Sequence, residues 1–494
     1  MMLASVVLLG AVAGQPPPPP VSRFAIVIGT NRPDDERSAP LRYADDDALA
    51  VHRLLEEAGV DSRLLTVLDA DTAKLHPTVA PKAPTADAVR DAFSELVAAM
   101  QRAGGPVELL FFYSGHGGVA HGEGYVAIEG GRLFRSTLHR ELIAVSPAVR
   151  NHVIVDACKS YFMAYPKGPG GQRQPHGGLL ADATVPGRTG FILSTSSGRD
   201  SHEWDRLQSG VFSHQIRSAL RGAADVDGDG TISYAEIGAF LERANVAIPN
   251  VRFRPDFVVR PPGPHPGDLS QAVLTWVEGE DALSMGEEGV RRVYLEGPTG
   301  ERILDIHKRP SEIVRLYLPS VRPLFVRTTD ERTEWVIEER GFTKLAKLEP
   351  RSASVAGKGA QHLAFEQLFE APFGEADVVA FAADYGAGPD PLLVERDVSE
   401  SDATGWVRPA LGIGAITLAV AGAVMTTWAL ERRFSGGDLT FDDKVARDHQ
   451  IHQLNAAALS LYGGALLTGG LWFGLGLWPS NDESAVGLTA GSTF

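Results

Sequence analysis

The chain has one cysteine, Cys158, closing the segment NHVIVDACKS, and a histidine, His116, closing the upstream segment VELLFFYSGHGG. A thiolate attacks a carbonyl carbon, and an imidazole within reach takes the thiol proton and returns it to the leaving amine. The oxyanion that forms needs preset N–H donors. Gly117 lets the backbone approach a substrate closely, so the N–H groups of Gly117 and Cys158 are the expected oxyanion hole. A lone thiol is also often just a small buried hydrophobe, so its surroundings must decide. One cysteine excludes an internal disulfide and a cysteine-built zinc cage. The loop HGGVAHGEG offers His121 and Glu123 beside His116 but no metal-ligand pattern.

The elements that must position this pair alternate. FAIVIGT, RLLTVLDA, VELLFFYSGHG, RNHVIVDAC and RTGFILSTSS read as strands. YADDDALAVHRLLEEAG reads as a helix with Ala48, Val51, Leu54 and Leu55 on one face, and STLHRELIAV as another. TADAVRDAFSELVAAMQRAGG is a third, N-capped by Thr85 and stopped at Gly104. Continuous apolar strands separated by helices predict an α/β fold, a mostly parallel sheet covered on both faces over 22–262. Ligands of such sheets gather at the carboxyl ends of strands, and His116 and Cys158 lie just past two of them.

FFYSGHGG followed by VIVDACKS resembles the two signatures of caspase-like cysteine peptidases, closer to metacaspases and bacterial orthocaspases than to animal caspases. LRYADDDA resembles the metacaspase L-x-x-C-x-N-D-A segment, with Ala44 for cysteine and Asp46 for asparagine. Lys159, Ser160 and Tyr161 replace the usual His-Ser-Gly after the nucleophile. The resemblance covers about half of the chain, FAIVIGT to FRPDFVVRPP. It implies Cys158 as nucleophile, His116 as general base and acid, and Asp47 and Asp156 as the acidic S1 positions. Carboxylates at a pocket base select a cationic P1 side chain, so cleavage of peptides after Arg or Lys is expected. Asp47 as a helix cap and Asp156 as a partner of nearby backbone are the plainer readings. The loop from Tyr165 to Arg188 carries Lys167, Arg173 and Arg188, where related enzymes cut themselves. An inactive caspase-like scaffold, blocked at Tyr161, and a calcium-dependent binding or sensing module are the alternatives.

ADVDGDGTISYAEIGAF follows an EF-hand loop over 225–236. Asp225, Asp227 and Asp229 take positions 1, 3 and 5, Thr231 offers its carbonyl at 7, Ser233 stands at 9 and Glu236 is the bidentate ligand at 12. Ca2+ is the expected ion, and the chemistry at Cys158 needs no cofactor. Only one such loop is evident, whereas EF-hands usually pair.

At 494 residues the chain exceeds one ordinary core. From 267 to 400 short β-forming runs are broken by GPTG, LPSVRP and DERTE, which predicts a small antiparallel β-domain without a catalytic constellation. Its protein partner cannot be read from the sequence. A formal net charge of −16 with no basic run argues against nucleic acid. Residues 1–14 read as an export signal and 15–21 as a Pro-rich linker. The uncharged stretches 409–430 and 454–478 are each long enough to span a bilayer, forming a two-helix transmembrane hairpin. Arg432, Arg433, Lys444 and Arg447 lie in the intervening 431–453, which predicts a cytoplasmic loop. The peptidase part and the tail 479–494 are then expected on the periplasmic side of a bacterial inner membrane.

Overall fold

Strand residues that alternate in sequence go to opposite faces of one central sheet, and this divides the core in two. In the computed structural model the first elements are β1 (Ser22–Thr30), α1 (Ala44–Glu57), β2 (Asp61–Thr66), α2 (Ala70–Leu75), α3 (Ala86–Arg102) and β3 (Val107–Gly115). A small antiparallel sheet follows, β4 (Gly117–Ala120), β5 (Glu123–Ile128) and β6 (Gly131–Phe134). After α4 (Arg135–Leu138), continued by a π-helical turn at His139–Ile143, come β7 (Arg150–Asp156), α5 (Tyr161–Ala164) and β8 (Thr189–Ser194). The hairpin of β9 (Glu203–Trp204) and β10 (Ser209–Gly210) leads into α6 (Val211–Ser218), β11 (Thr231–Ser233), α7 (Tyr234–Asn245) and β12 (Phe257–Arg260). The structure describes residues 21–34, 39–164, 187–194, 203–204, 207–248, 255–263, 267–276, 281–287, 289–352 and 368–387.

The central sheet has the order β12-β8-β7-β3-β1-β2, parallel except where β12 runs antiparallel to β8. Ala25, Val27, Leu110, Phe112, Ile154 and Ile192 face one core with α1, α6 and α7. Ile26, Ile28, Phe111, Val153 and Phe191 face the other with α3. The expected faces hold: Ala48, Val51, Leu54 and Leu55 of α1 are buried, and the Thr85 hydroxyl caps α3 by accepting from Ala88 N at 3.3 Å. The strand expected at RLLTVLDA ends early, because Asp69 leaves it to cap α2, accepting from Asp71 N and Thr72 N.

The β-rich region contains β13 (Ala272–Thr275), β14 (Ala282–Met285), β15 (Arg292–Glu296), β16 (Arg302–His307), β17 (Val314–Tyr317), β18 (Leu324–Thr328), β19 (Thr333–Ile337), β20 (Phe342–Lys344) and β21 (Arg351–Ser352), then α8 (Glu375–Ala387). Its sheets, β17-β14-β20 and β16-β15-β18-β19-β21, are antiparallel apart from the β14–β20 pair. Their inner residues Leu283, Leu295, Leu304 and Val326 share one continuous core with Phe212, Ile216 and Phe240 of α6 and α7. Among the described residues no helix is long and apolar enough to cross a membrane. The export signal, the linker up to 20, both apolar stretches, the loop between them and the tail lie outside the described residues, as do Lys167 and Arg173. Arg188 is described, and its guanidinium donates to Ser146 O at 2.7 Å at the entry to β8.

Candidate active site

Strands β3 and β7 pair in parallel with Ser114 opposite Asp156, so His116 and Cys158 each stand two residues past the last paired position. Both are half-buried. The backbones beyond the strand ends also meet: a Cβ placed on Gly117 would lie 2.6 Å from Cys158 O and 2.9 Å from the Ala157 Cβ. Only glycine permits this approach. The His116 carbonyl is fixed from two sides, accepting from Ala127 N at 2.9 Å and from the Tyr113 hydroxyl at 2.8 Å. His116 therefore sits at the bonded position opposite Ala127, and Gly117 at the next, non-bonded position opposite Val126. The Gly117 N–H consequently points away from β5 at the edge of its small sheet. An N–H off the ladder beside Cys158 suits an oxyanion donor.

A tight turn presents Cys158. Lys159 adopts φ 57, rare for a residue with a side chain, and exposes that side chain to solvent. Ser160 N donates to Ala157 O at 3.3 Å, and the Ser160 hydroxyl donates to Ser194 O at the end of β8. Tyr161 is 2 % exposed, and its ring meets Phe162 edge-on in the core. His121 heads the β4–β5 turn at φ 53, and the Glu123 carboxylate accepts from Ser136 N.

The two S1 candidates converge on the face carrying α1 and α6. Asp47 lies inside α1 rather than at its cap, with its carboxylate buried. It accepts from the Ser209 hydroxyl, from Gly210 N at 3.0 Å and from the Ser114 hydroxyl at 3.3 Å. Arg217 stands 3.8 Å away. Asp156 Oδ2 accepts from Ser213 N at 3.0 Å and from the Ser213 hydroxyl at 2.6 Å, both in the first turn of α6. A Cβ on Gly210 would lie 2.9 Å from Asp156 Oδ2 and 3.1 Å from Asp47 Oδ2, so both carboxylates close on one glycine. Burial pushes the Asp47 carboxyl up to about 8 and Asp156 adds to the push, while Arg217 and Ser209 pull the other way. Burial raises Asp156 as well, against the Ser213 bonds. Asp46, which accepts from the Thr72 hydroxyl at 2.8 Å, is raised to about 7 by burial and by Asp45.

The sequence did not reveal Glu203. Its carboxylate accepts from Tyr43 N at 2.9 Å and Arg42 N at 3.0 Å, pinning the β9–β10 hairpin to the start of α1. Burial raises its pKa, and Asp156 adds to this. Ser209, Gly210, Ser213 and Arg217 were equally silent, because their partners are remote in sequence.

Residues 22–251 match the family model Caspase domain. Over this stretch the chain is similar to a caspase domain. Among solved structures, a protein from Geobacter sulfurreducens is 18% identical over 52% of this chain and 100% of its own, with a TM-score of 0.31. Caspase-1 from Spodoptera frugiperda is 10% identical over 49% of this chain and 88% of its own, with a TM-score of 0.32. A pro-sf-caspase-1 structure is 12% identical over 52% of this chain and 85% of its own, with a TM-score of 0.31. The search of curated proteins found no match.

The acidic loop 225–236 lies within the matched residues. Oxygen atoms of Asp225, Asp227 and Asp229 lie within 4.8 Å of one another. Asp225 accepts from Gly228 N at 2.8 Å and Gly230 N at 3.1 Å, and Asp229 from Thr231 N at 2.6 Å. Ser233 and Glu236 form a reciprocal capping box at the start of α7, and Glu236 also accepts from Val226 N at 3.2 Å. Burial pushes Asp225 up to about 6 and Glu236 up to about 7. Thr231 and Ile232 of β11 pair with Thr275 and Leu274 of β13. A strand from the β-rich region thus holds positions 7 and 8 of the loop.

Proposed function

We propose that this chain is a cysteine endopeptidase that cleaves after Arg or Lys. The carrying observation is the parallel register that sets His116 and Cys158 at equal offsets beyond adjacent strands, with Gly117 against Cys158. Cys158 attacks the scissile carbonyl as thiolate after His116 takes its proton. The N–H groups of Gly117 and Cys158 hold the oxyanion, His116 protonates the departing amine, and water activated at His116 then releases the acyl group. A P1 cation meets Asp156, with Asp47 beneath it. Paired peptide substrates ending in Arg, Lys or Asp test this; cleavage after Arg and Lys supports the reading, and preference for Asp overturns the pocket assignment.

The loop 225–236 is proposed to hold Ca2+ through Asp225, Asp227, Asp229, the Thr231 carbonyl, Ser233 or its water, and Glu236. Crowded carboxylates with raised pKa values on a loop with glycine at position 6 support it. Calcium at a hundredfold excess over its Kd should stabilise the fold by about 2.7 kcal/mol. Calorimetry reads this as a melting shift removed by chelator, and an unchanged melt with no binding heat would end the proposal. The uncharged stretches 409–430 and 454–478 support a tether to a bacterial inner membrane with the caspase domain outside the cytoplasm. A full-length chain washed off membranes by carbonate would refute it.

A further inference from the structure

A chain of buried charges crosses from the acidic pocket into the β-rich region. From Asp47, Arg217 lies 3.8 Å away, and the Arg217 guanidinium donates to His214 Nδ1 at 3.4 Å. His214 Nε2 is 2.8 Å from Asp305 Oδ2, and Arg302 Nε donates to the same oxygen at 2.6 Å. Asp305 N also donates to the Ser218 hydroxyl at 3.0 Å, which fixes β16 against α6. His214 is 0 % exposed and Asp305 2 %. Groups this deep must be partnered in order to persist.

The chain has a direction. Burial pushes His214 down to about 4, so the ring is neutral with a single proton. A carboxylate can only accept, which places that proton on Nε2 and leaves Nδ1 to receive Arg217. Burial alone would raise the Asp305 carboxyl, but Arg302 and His214 hold it far below the usual range, so it is a fixed acceptor. Arg302 and Asp305 lie beyond residues 22–251, the stretch that matches the caspase family model.

We propose that Asp305 of the β-rich region is a positioning residue for the acidic pocket, acting through His214 to aim Arg217 at Asp47. This rests on the reading of Asp47 and Asp156 as the P1 site. The β-rich region is then part of what sets substrate preference, and a caspase domain trimmed of it would bind P1 cations poorly.

The test uses the full chain and two readouts: KM and kcat on an Arg-ending peptide, and benzamidine binding in a Cys158→Ala background. Asp305→Asn leaves Arg302 without its ion partner, so the double change Arg302→Met with Asp305→Leu is made beside it, removing the pair together. His214→Leu breaks the chain, whereas His214→Gln can still donate to Asp305 and accept from Arg217. Folded Asp305 variants and His214→Leu should raise KM and weaken benzamidine about tenfold with kcat little changed, as expected for loss of one charged-group hydrogen bond. His214→Gln should recover most of the loss, which a merely structural role would not predict. Wild-type affinity in the folded double variant and in His214→Leu overturns the proposal. Failure of the wild type itself to bind benzamidine would instead remove the acidic-pocket reading, and this inference with it.

Discussion

Cys158→Ala should lower hydrolysis of an Arg-ending peptide by about ten-thousandfold or more, and His116→Ala by a similar amount. Each residue works only through the other, so the double variant should be no slower than the worse single one. The fold should tolerate both changes, since both side chains sit past the ends of strands and are only half-buried. Alkylation of Cys158 by iodoacetamide gives a second readout that needs no peptide. Its rate should drop in His116→Ala, because the imidazole no longer takes the thiol proton. Equal alkylation rates with and without His116 would dissolve the pairing. Retained hydrolysis in Cys158→Ala would move the chemistry elsewhere, as no other cysteine exists.

The second large effect concerns proton linkage in the pocket. Burial raises the Asp47 carboxyl to about 8 and the Asp46 carboxyl to about 7, so both keep their protons to a higher pH than an ordinary aspartate. Both values exceed that of an unfolded aspartate, about 3.9, so these groups lower fold stability as pH rises toward 8. A bound cation favours the ionised carboxylates and therefore expels protons. Benzamidine affinity in Cys158→Ala should rise with pH, by up to about tenfold per unit for each proton released. The groups facing Asp47 are Arg217 of α6 and Asp156 of β7, with Asp46 beside it on α1. Asp47→Asn should flatten the profile, and Asp156→Asn should cost about a hundredfold in kcat/KM on Arg substrates, the scale of a lost charge-assisted contact. Calorimetry in buffers of different ionisation heat counts the protons; affinity that falls as pH rises contradicts the assignment.

What the sequence made legible follows the range of the interactions. FAIVIGT and VELLFFYSG are apolar along most of their length because both of their faces are buried, and that pattern needs no partner to be read. His116 and Cys158 were visible because chemistry-bearing side chains follow such runs directly. Asp47 and Asp156 were visible only through resemblance. Their surroundings were hidden, since Ser209 reaches Asp47 across 162 positions and Ser213 reaches Asp156 across 57. The calcium-loop pattern is local and was plain, whereas the pairing of β11 with β13 was not, because nothing in TIS or AVLT names its partner. The β-rich region was read as a separate unit because strand runs show period but not what they pack on. Its continuous core with α6 and α7 depends on long-range contacts. Helix α8, inside a segment expected to be all β, passed unnoticed.

The equal offset of His116 and Cys158 ties the reactive groups to a common count of residues along two neighbouring strands. Insertion of a single amino acid within either strand would turn its terminal side chain through half a pleat, toward the opposite side of the sheet. Length variation among related chains should therefore collect in the connections, and the spans VELLFFYSGH and RNHVIVDAC should tolerate exchange of one hydrophobe for another far better than any gain or loss of length.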